Sequence, residues 1–199
     1  MIGSIFLYIF MLISLKRDSN VSEFLRQKFP DSMNNFLSWV IVGFVFCLLL
    51  SALISPFIPL VPSKILDLQV FGFEMNKFGF TLCTVLLFYL VKNLLSYLYF
   101  AGTGSLRKWE LFYFTSSKFY FCASVVLMVL CTINNFYNVD QNQAIPFYFG
   151  VLLFLFIFKI LYYLFHKNNM LPTKWYYKFL YICTLQIVPV LVLWRTLFF

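Results

Sequence analysis

Residues 36–60, 78–101, 119–136, 147–166 and 179–199 are each an almost unbroken apolar run, and most reach the roughly 20 residues that a helix needs to cross a bilayer. Inside lipid no backbone donor or acceptor finds water, so a continuous apolar run of this length must satisfy its hydrogen bonds within itself. These runs therefore predict helices. Hydrophobic residues make up 62% of the chain and charged residues 11%, against about 45–50% and 25% in soluble domains, so a water-soluble fold could not hide this much apolar surface.

A shorter run, residues 1–15, precedes Lys16 and Arg17. No basic residue precedes it and Asp18, Ser19 and Asn20 follow instead of a small-x-small cleavage site, so it reads as a retained anchor and not as a signal peptide. As a helix it would rise only about 22 Å, short of the roughly 30 Å hydrocarbon core, which leaves open whether it crosses. Residues 16–35 place Val21, Phe24, Leu25, Phe29 and Met33 among Arg26 and Lys28, a pattern suited to an amphipathic linker lying in the interface, interrupted at Pro30. Pro56 and Pro59 fall near the end of the first long span. Gly102-Thr103-Gly104-Ser105 predicts a turn, followed by a short amphipathic piece over 109–114. The expected fold is an all-α polytopic membrane bundle: one transmembrane domain over 1–199, with anchor 1–15, linker 16–35 and five spans within 36–199, the anchor counting as a short sixth if it crosses.

The basic residues set the expected orientation, because Lys and Arg near span ends are retained in the cytoplasm. Lys16, Arg17, Arg26 and Lys28, then Arg107, Lys108 and Lys118, then Lys167, Lys174 and Lys178 collect on one side; the other has Lys64, Lys77 and Arg195. Loops 16–35, 102–118 and 167–178 are thus expected in the cytoplasm and the C-terminus in the periplasm of a bacterial inner membrane. The N-terminus is outside if residues 1–15 cross and inside if they do not. Arg107, Lys108, Lys167 and Lys174 are the residues expected to meet lipid headgroups. Trp39, Tyr97, Tyr99, Trp175, Tyr176, Tyr177 and Trp194 suit interfacial anchoring.

The formal net charge of +8 forms no basic stripe that could track a phosphate backbone, which argues against nucleic acid as partner. The expected partners are the bilayer and other membrane proteins. Cys47, Cys83, Cys122, Cys131 and Cys183 all sit in apolar runs with no metal-ligand spacing, so neither a metal nor another cofactor is expected. His166 caps a span end beside Lys167. Enzyme signatures such as GxSxG, HExxH and the Walker loop are absent, and Asp67, Glu74, Glu110 and Asp140 have no catalytic spacing. No catalytic residue is assigned and no enzymatic activity is expected.

Ionisable residues at membrane depth are costly and count as functional candidates. Lys92, Lys159 and Gln186 lie about seven to nine residues from the cytoplasmic ends of their spans, hence at similar depth at about 1.5 Å per residue, with Asn93 beside Lys92. One reading is a polar layer that attracts a carboxylate or phosphate. The other is snorkelling, with the lysine stems reaching the interface and the amides bonding between helices. No carboxylate falls in a predicted span, which counts against a proton pump. Pro189, three residues after Gln186, should free a carbonyl near residue 185, either as a packing kink or as part of a gate.

The last span opens Phe179-Leu180-Tyr181-Ile182-Cys183-Thr184-Leu185-Gln186-Ile187-Val188-Pro189. This resembles the closing motif of a Bacteroidota inner-membrane family known only as a domain of unknown function, in which the motif reads closer to Tyr-Leu-Cys-Thr-Leu-Glu-Ile-Leu-Pro. The order of an N-terminal helix, a basic linker and about five spans is similar too. Where that family commonly carries Glu, this chain has Gln186, which removes a charged partner for Lys92 or Lys159. The resemblance implies an inner-membrane address and a helical bundle but no chemistry. The expected function is a non-catalytic membrane subunit or assembly factor of an envelope complex, with secretion or gliding machinery suggested by lineage alone. A small-solute or ion carrier or channel built on the polar layer is the alternative, and a lipid-binding or lipid-modifying protein the weaker one. Substrate, partner identity and oligomeric state are not legible.

Overall fold

A computed structural model describes residues 2–15, 25, 35–58, 76–104, 106–136, 141–165 and 175–198. Every long apolar run has become helix, and there is no strand among the described residues. The elements are α1 (Ile2–Leu15), α2 (Asn35–Ile54) with a 3-10 turn over Ser55–Phe57, α3 (Lys77–Gly102), α4 (Leu106–Phe136), α5 (Gln141–Phe165), α6 (Trp175–Leu180), a π-helical segment over Tyr181–Ile187, and α7 (Val188–Phe198). Five stretches are long and apolar enough to cross a membrane: Phe36–Phe57, Lys77–Gly102, Lys108–Phe136, Ile145–Phe165 and Trp175–Phe198. The bundle is all-α and polytopic.

Local chemistry explains the boundaries. Pro56 stands at the start of the 3-10 turn that ends α2, where its missing N–H costs least. The Asn76 side chain accepts from the Lys77 N–H and starts α3 as an N-cap. At the other end Thr103 N–H donates to Tyr99 O and Gly104 N–H to Ala101 O, and Gly104 takes the φ of 66° that only glycine adopts without penalty.

Three elements differ from the sequence reading. The amphipathic piece at 109–114 and the span at 119–136 are one helix, α4, of 31 residues. Its run Thr115-Ser116-Ser117 looks like a break, but Thr115 Oγ1 donates to Leu111 O and Ser117 Oγ to Tyr113 O, so the hydroxyls are absorbed by their own helix. Lys118, expected in a loop, is therefore helical; its Nζ lies 4.4 Å over the Phe114 ring and donates to Leu25 O. Second, α5 begins at Gln141 and carries Pro146 inside it, so part of the expected 137–146 connection is helix. Third, the last span starts at Trp175 and changes pitch. Val188 N–H donates to Cys183 O, five residues back, just before Pro189. A wider register ahead of a proline accommodates a missing N–H within a continuous span.

α2 is the hub. It packs against α1, α3 and α4, and Val42, Val45, Cys47, Leu49 and Leu53 are fully enclosed. Gly43 admits Tyr89 of α3 so closely that a Cβ there would lie 2.6 Å from the tyrosine oxygen. α1 docks through one edge: Ser4 and Tyr8 are buried, Tyr8 is hydrogen-bonded to Ser124, and its ring meets Phe121 in a tilted contact at 4.9 Å between centroids, while Ile2, Phe6, Ile9 and Ile13 face outward. A second, aromatic cluster of Phe100, Phe112, Tyr163, Tyr181 and Leu185 joins α3, α4, α5 and the π-helical segment.

Candidate functional site

α3 buries Thr81, Val85, Tyr89, Lys92, Ser96 and Phe100, residues three or four apart and so on one helix face. Lys92 thus stands in the middle of the inward stripe. On α5 the buried residues among the described side chains are Tyr148, Lys159 and Tyr163, again one face. Those two faces bring Lys92 and Lys159 together. Both line the same cavity, and only 7% and 5% of the two residues is exposed. Neither stem reaches out to the surface, so both amino groups stay inside the bundle.

Lys159 Nζ donates to Tyr120 Oη of α4 at 2.6 Å and lies 4.5 Å from the Tyr120 ring centroid, with the Tyr163 ring at 5.7 Å and Phe119 at 6.0 Å. Lys92 Nζ lies 5.9 Å over the Phe88 ring. Aromatic faces within about 6 Å offset part of the cost of a buried cation. They do not neutralise it. The only carboxylate among the described residues, Glu110, is exposed near the start of α4. When both are protonated, two ammonium groups sharing one low-dielectric pocket repel, and an anion seated against both would offset that repulsion.

One helical turn away lies a hydroxyl layer. Ser116 of α4 shares a hydrogen bond of 2.5 Å with Tyr163 of α5, Ser96 of α3 and Tyr181 are both buried at this level, and Gln186 Nε2 donates to Tyr181 Oη at 2.8 Å. Gln186 is fully buried, its Oε1 without a partner. The structure thus splits the expected polar layer. Gln186 bonds to Tyr181, and Asn93 turns back on its own helix, its Nδ2 donating to Tyr89 O at 2.7 Å. Pro189 is half-buried in the first turn of α7. Of the headgroup candidates, Lys108 is half-buried at the start of α4, the Arg107 side chain is not described, and Lys167 and Lys174, like His166, lie outside the described residues.

Lys92, Lys159 and Tyr120 line one end of a cavity of about 490 Å³. The remaining wall is apolar: Phe46, Leu50 and Ile54 of α2, Phe149 and Leu153 of α5, and Leu193, Trp194 and Leu197 of α7 among others. That volume falls in the roughly 300–1,000 Å³ range of ligand sites, which are mostly apolar with a few placed polar groups. Tyr120, Tyr163, Tyr181, Ser96 and Ser116 were missed by sequence reasoning. The expected spans put the three tyrosines within three residues of a span end, where they read as interface anchors, and Ser116 outside any span.

No three His, Cys, Asp or Glu side chains among the described residues are close enough to share a metal ion. Cys47 and Cys131 are buried, Cys183 is half-buried, and Cys83 and Cys122 face outward, all unbridged. Residues 1–197 match the family model described as Domain of unknown function (DUF4271). The chain belongs to the DUF4271 family. No curated protein and no solved structure matches it. For this DUF4271 member, chemistry must be inferred from the lysine centre itself.

Proposed function

We propose that this protein is a non-catalytic integral component of the bacterial inner membrane that works by binding an anionic group between Lys92 and Lys159, as a subunit or assembly factor of a larger envelope complex. One observation carries the binding reading. Two lysines from different helices and a tyrosine hydroxyl converge, buried, at the end of a ligand-sized cavity. Holding two like charges together inside a membrane is unfavourable unless something compensates them, and such positions usually mark substrate or ion pathways.

The assembly reading is supported by the outward-facing apolar and aromatic surface of α5 and α7, which suits lipid and neighbouring helices alike. The distribution of basic residues supports loops 16–35, 102–118 and 167–178 in the cytoplasm and the C-terminus in the periplasm. A tie to secretion or gliding machinery rests on lineage alone. Two experiments test the proposal. Purified full-length protein in zwitterionic nanodiscs should bind radiolabelled alkyl phosphate or inorganic phosphate, and the double variant Lys92→Leu, Lys159→Leu should not; equal binding by both proteins refutes the anion site. Mild-detergent extraction from native membranes should recover a constant stoichiometric companion, and recovery of the protein alone refutes the subunit role.

A carrier is the second reading, favoured by the cavity beside α7 and the change of pitch before Pro189. π-helical segments cluster at functional sites. Anion flux into proteoliposomes that disappears in the double lysine variant would establish it.

A further inference from the structure

The cavity has a direction. Lys92, Lys159 and Tyr120 stand at one end, and from that level the wall runs along α5 from Lys159 back to Gly150 and along α7 from Val190 to Phe198. Nine residues of helix cover about 13 Å at 1.5 Å per residue, close to half of the roughly 30 Å hydrocarbon core. Every other lining residue along that length is apolar, Phe, Leu, Ile, Val, Trp, Ala or Gly. A free inorganic anion would use the head of this cavity and leave the rest without a partner. Water gains nothing there, since an apolar cavity offers it no hydrogen bonds.

We infer that the cavity takes a single-chain amphiphile with a small anionic head, a long-chain carboxylate or monoalkyl phosphate, its head against Lys92, Lys159 and Tyr120 and its chain along α2, α5 and α7. This deepens the anion-binding reading and rests on it. Charge complementarity selects the head: two ammonium groups and a hydroxyl can give an acidic oxygen pair charge-assisted hydrogen bonds. Depth selects its size. Lys159 lies six residues inside the described end of α5 and Lys92 ten inside that of α3, roughly 9 and 15 Å along their helices. A bulky polar headgroup would lose its hydration there, whereas a carboxylate or phosphate can exchange it for the lysines. The chain follows because lipid is its ordinary surrounding and the wall offers the same apolar contact.

The geometry also supplies a clean perturbation. Gly150 lines the cavity, and a Cβ built on it meets nothing within 4 Å, so a larger residue can begin there without displacing a neighbour at Cβ. Gly150→Phe would occupy chain space and leave the lysines untouched.

The test is binding of radiolabelled palmitate, dodecyl phosphate and inorganic phosphate to the full chain in zwitterionic nanodiscs. Wild type, Gly150→Phe and Lys92→Gln with Lys159→Gln are compared, with monodispersity and melting temperature checking that each variant folds. The amphiphiles should bind at least about tenfold more tightly than inorganic phosphate. Each variant should weaken them about tenfold or more, as expected when charge-assisted bonds or a filled chain site are lost. If inorganic phosphate binds as tightly as the amphiphiles, in a lysine-dependent way that Gly150→Phe does not change, the ligand is a free anion; the inference falls and the anion site stands. Should amphiphiles bind equally to wild type and the lysine variant, or should nothing bind, both fall. If a variant does not fold, displacement of a wild-type-bound fluorescent fatty acid by dodecyl phosphate but not by inorganic phosphate decides in its place, and equal displacement by the two overturns the inference.

Discussion

α2 and α5 are both long apolar helices of one bundle, yet they are held in place by different forces. α2 is enclosed by α1, α3 and α4 and locked by aliphatic packing at Val42, Val45, Leu49 and Leu53. α5 turns Phe154, Ile157, Phe158, Leu161 and Phe165 outward, and the described side chains it buries all carry a polar atom: Tyr148, Lys159 and Tyr163. Lipid tails are as apolar as leucine, so apolar faces alone do not drive a helix onto a bundle; close packing and hydrogen bonds do. α2 has the packing and α5 has the bonds. The lysine centre therefore sits at the seam between a tightly packed wall and a lightly attached one, which is where a ligand cavity can open at small cost.

The contrast can be broken from its packed side first. Leu53→Ala removes a fully enclosed side chain of α2 and should destabilise the protein by about 2–5 kcal/mol, read from thermal unfolding in detergent. Gly43→Ala should follow, at about 1–3 kcal/mol, because the new methyl must displace the Tyr89 ring that lies 2.6 to 2.8 Å from its position. On the polar side, Tyr163→Phe removes the hydroxyl bonded to Ser116 and should cost about 0.6–1.7 kcal/mol, the range of single interhelical bonds in membranes. It should also make trypsin or hydrogen-exchange access to α5 rise before access to α2. Smallest of all, Leu161→Ala on the outer face of α5 should stay within about 0.5 kcal/mol of wild type. If Leu161→Ala cost as much as Leu53→Ala, the outer face of α5 would have an apolar partner, and the division between the two helices would fail.

The sequence disclosed α2 and α5 as spans equally well, because hydropathy depends on length and composition. It could not tell which was central. Both have near-continuous apolar faces, and only the contacts of α1 and α4 single out α2. Lys92 and Lys159 were visible by counting residues from span ends, since position along a helix converts directly to depth. Their burial was not visible, because a lysine stem at that depth can reach inward or outward, and the choice is made by the stripe it shares with Thr81, Tyr89, Ser96 and Phe100. Tyr120 stayed hidden for a different reason. Splitting α4 at its Thr-Ser-Ser run placed Tyr120 next to a span end, where a tyrosine looks like an interface anchor; in the continuous helix it lies near the middle. Gln186 shared the lysines' depth but not their neighbourhood, as the π-helical pitch turns it toward Tyr181.

The central claim is that Lys92 and Lys159 meet inside the bundle and do not snorkel to its surface. Native membranes opened on both faces can be treated with a water-soluble amine-reactive ester, and each lysine's modification read by peptide mass spectrometry, with exposed Lys77 as the internal reference. Lys92 and Lys159 should stay unmodified while Lys77 is labelled, and detergent denaturation should make all three react alike. Modification of Lys92 and Lys159 at the rate of Lys77 in intact membranes would place their ammonium groups in water and contradict the account.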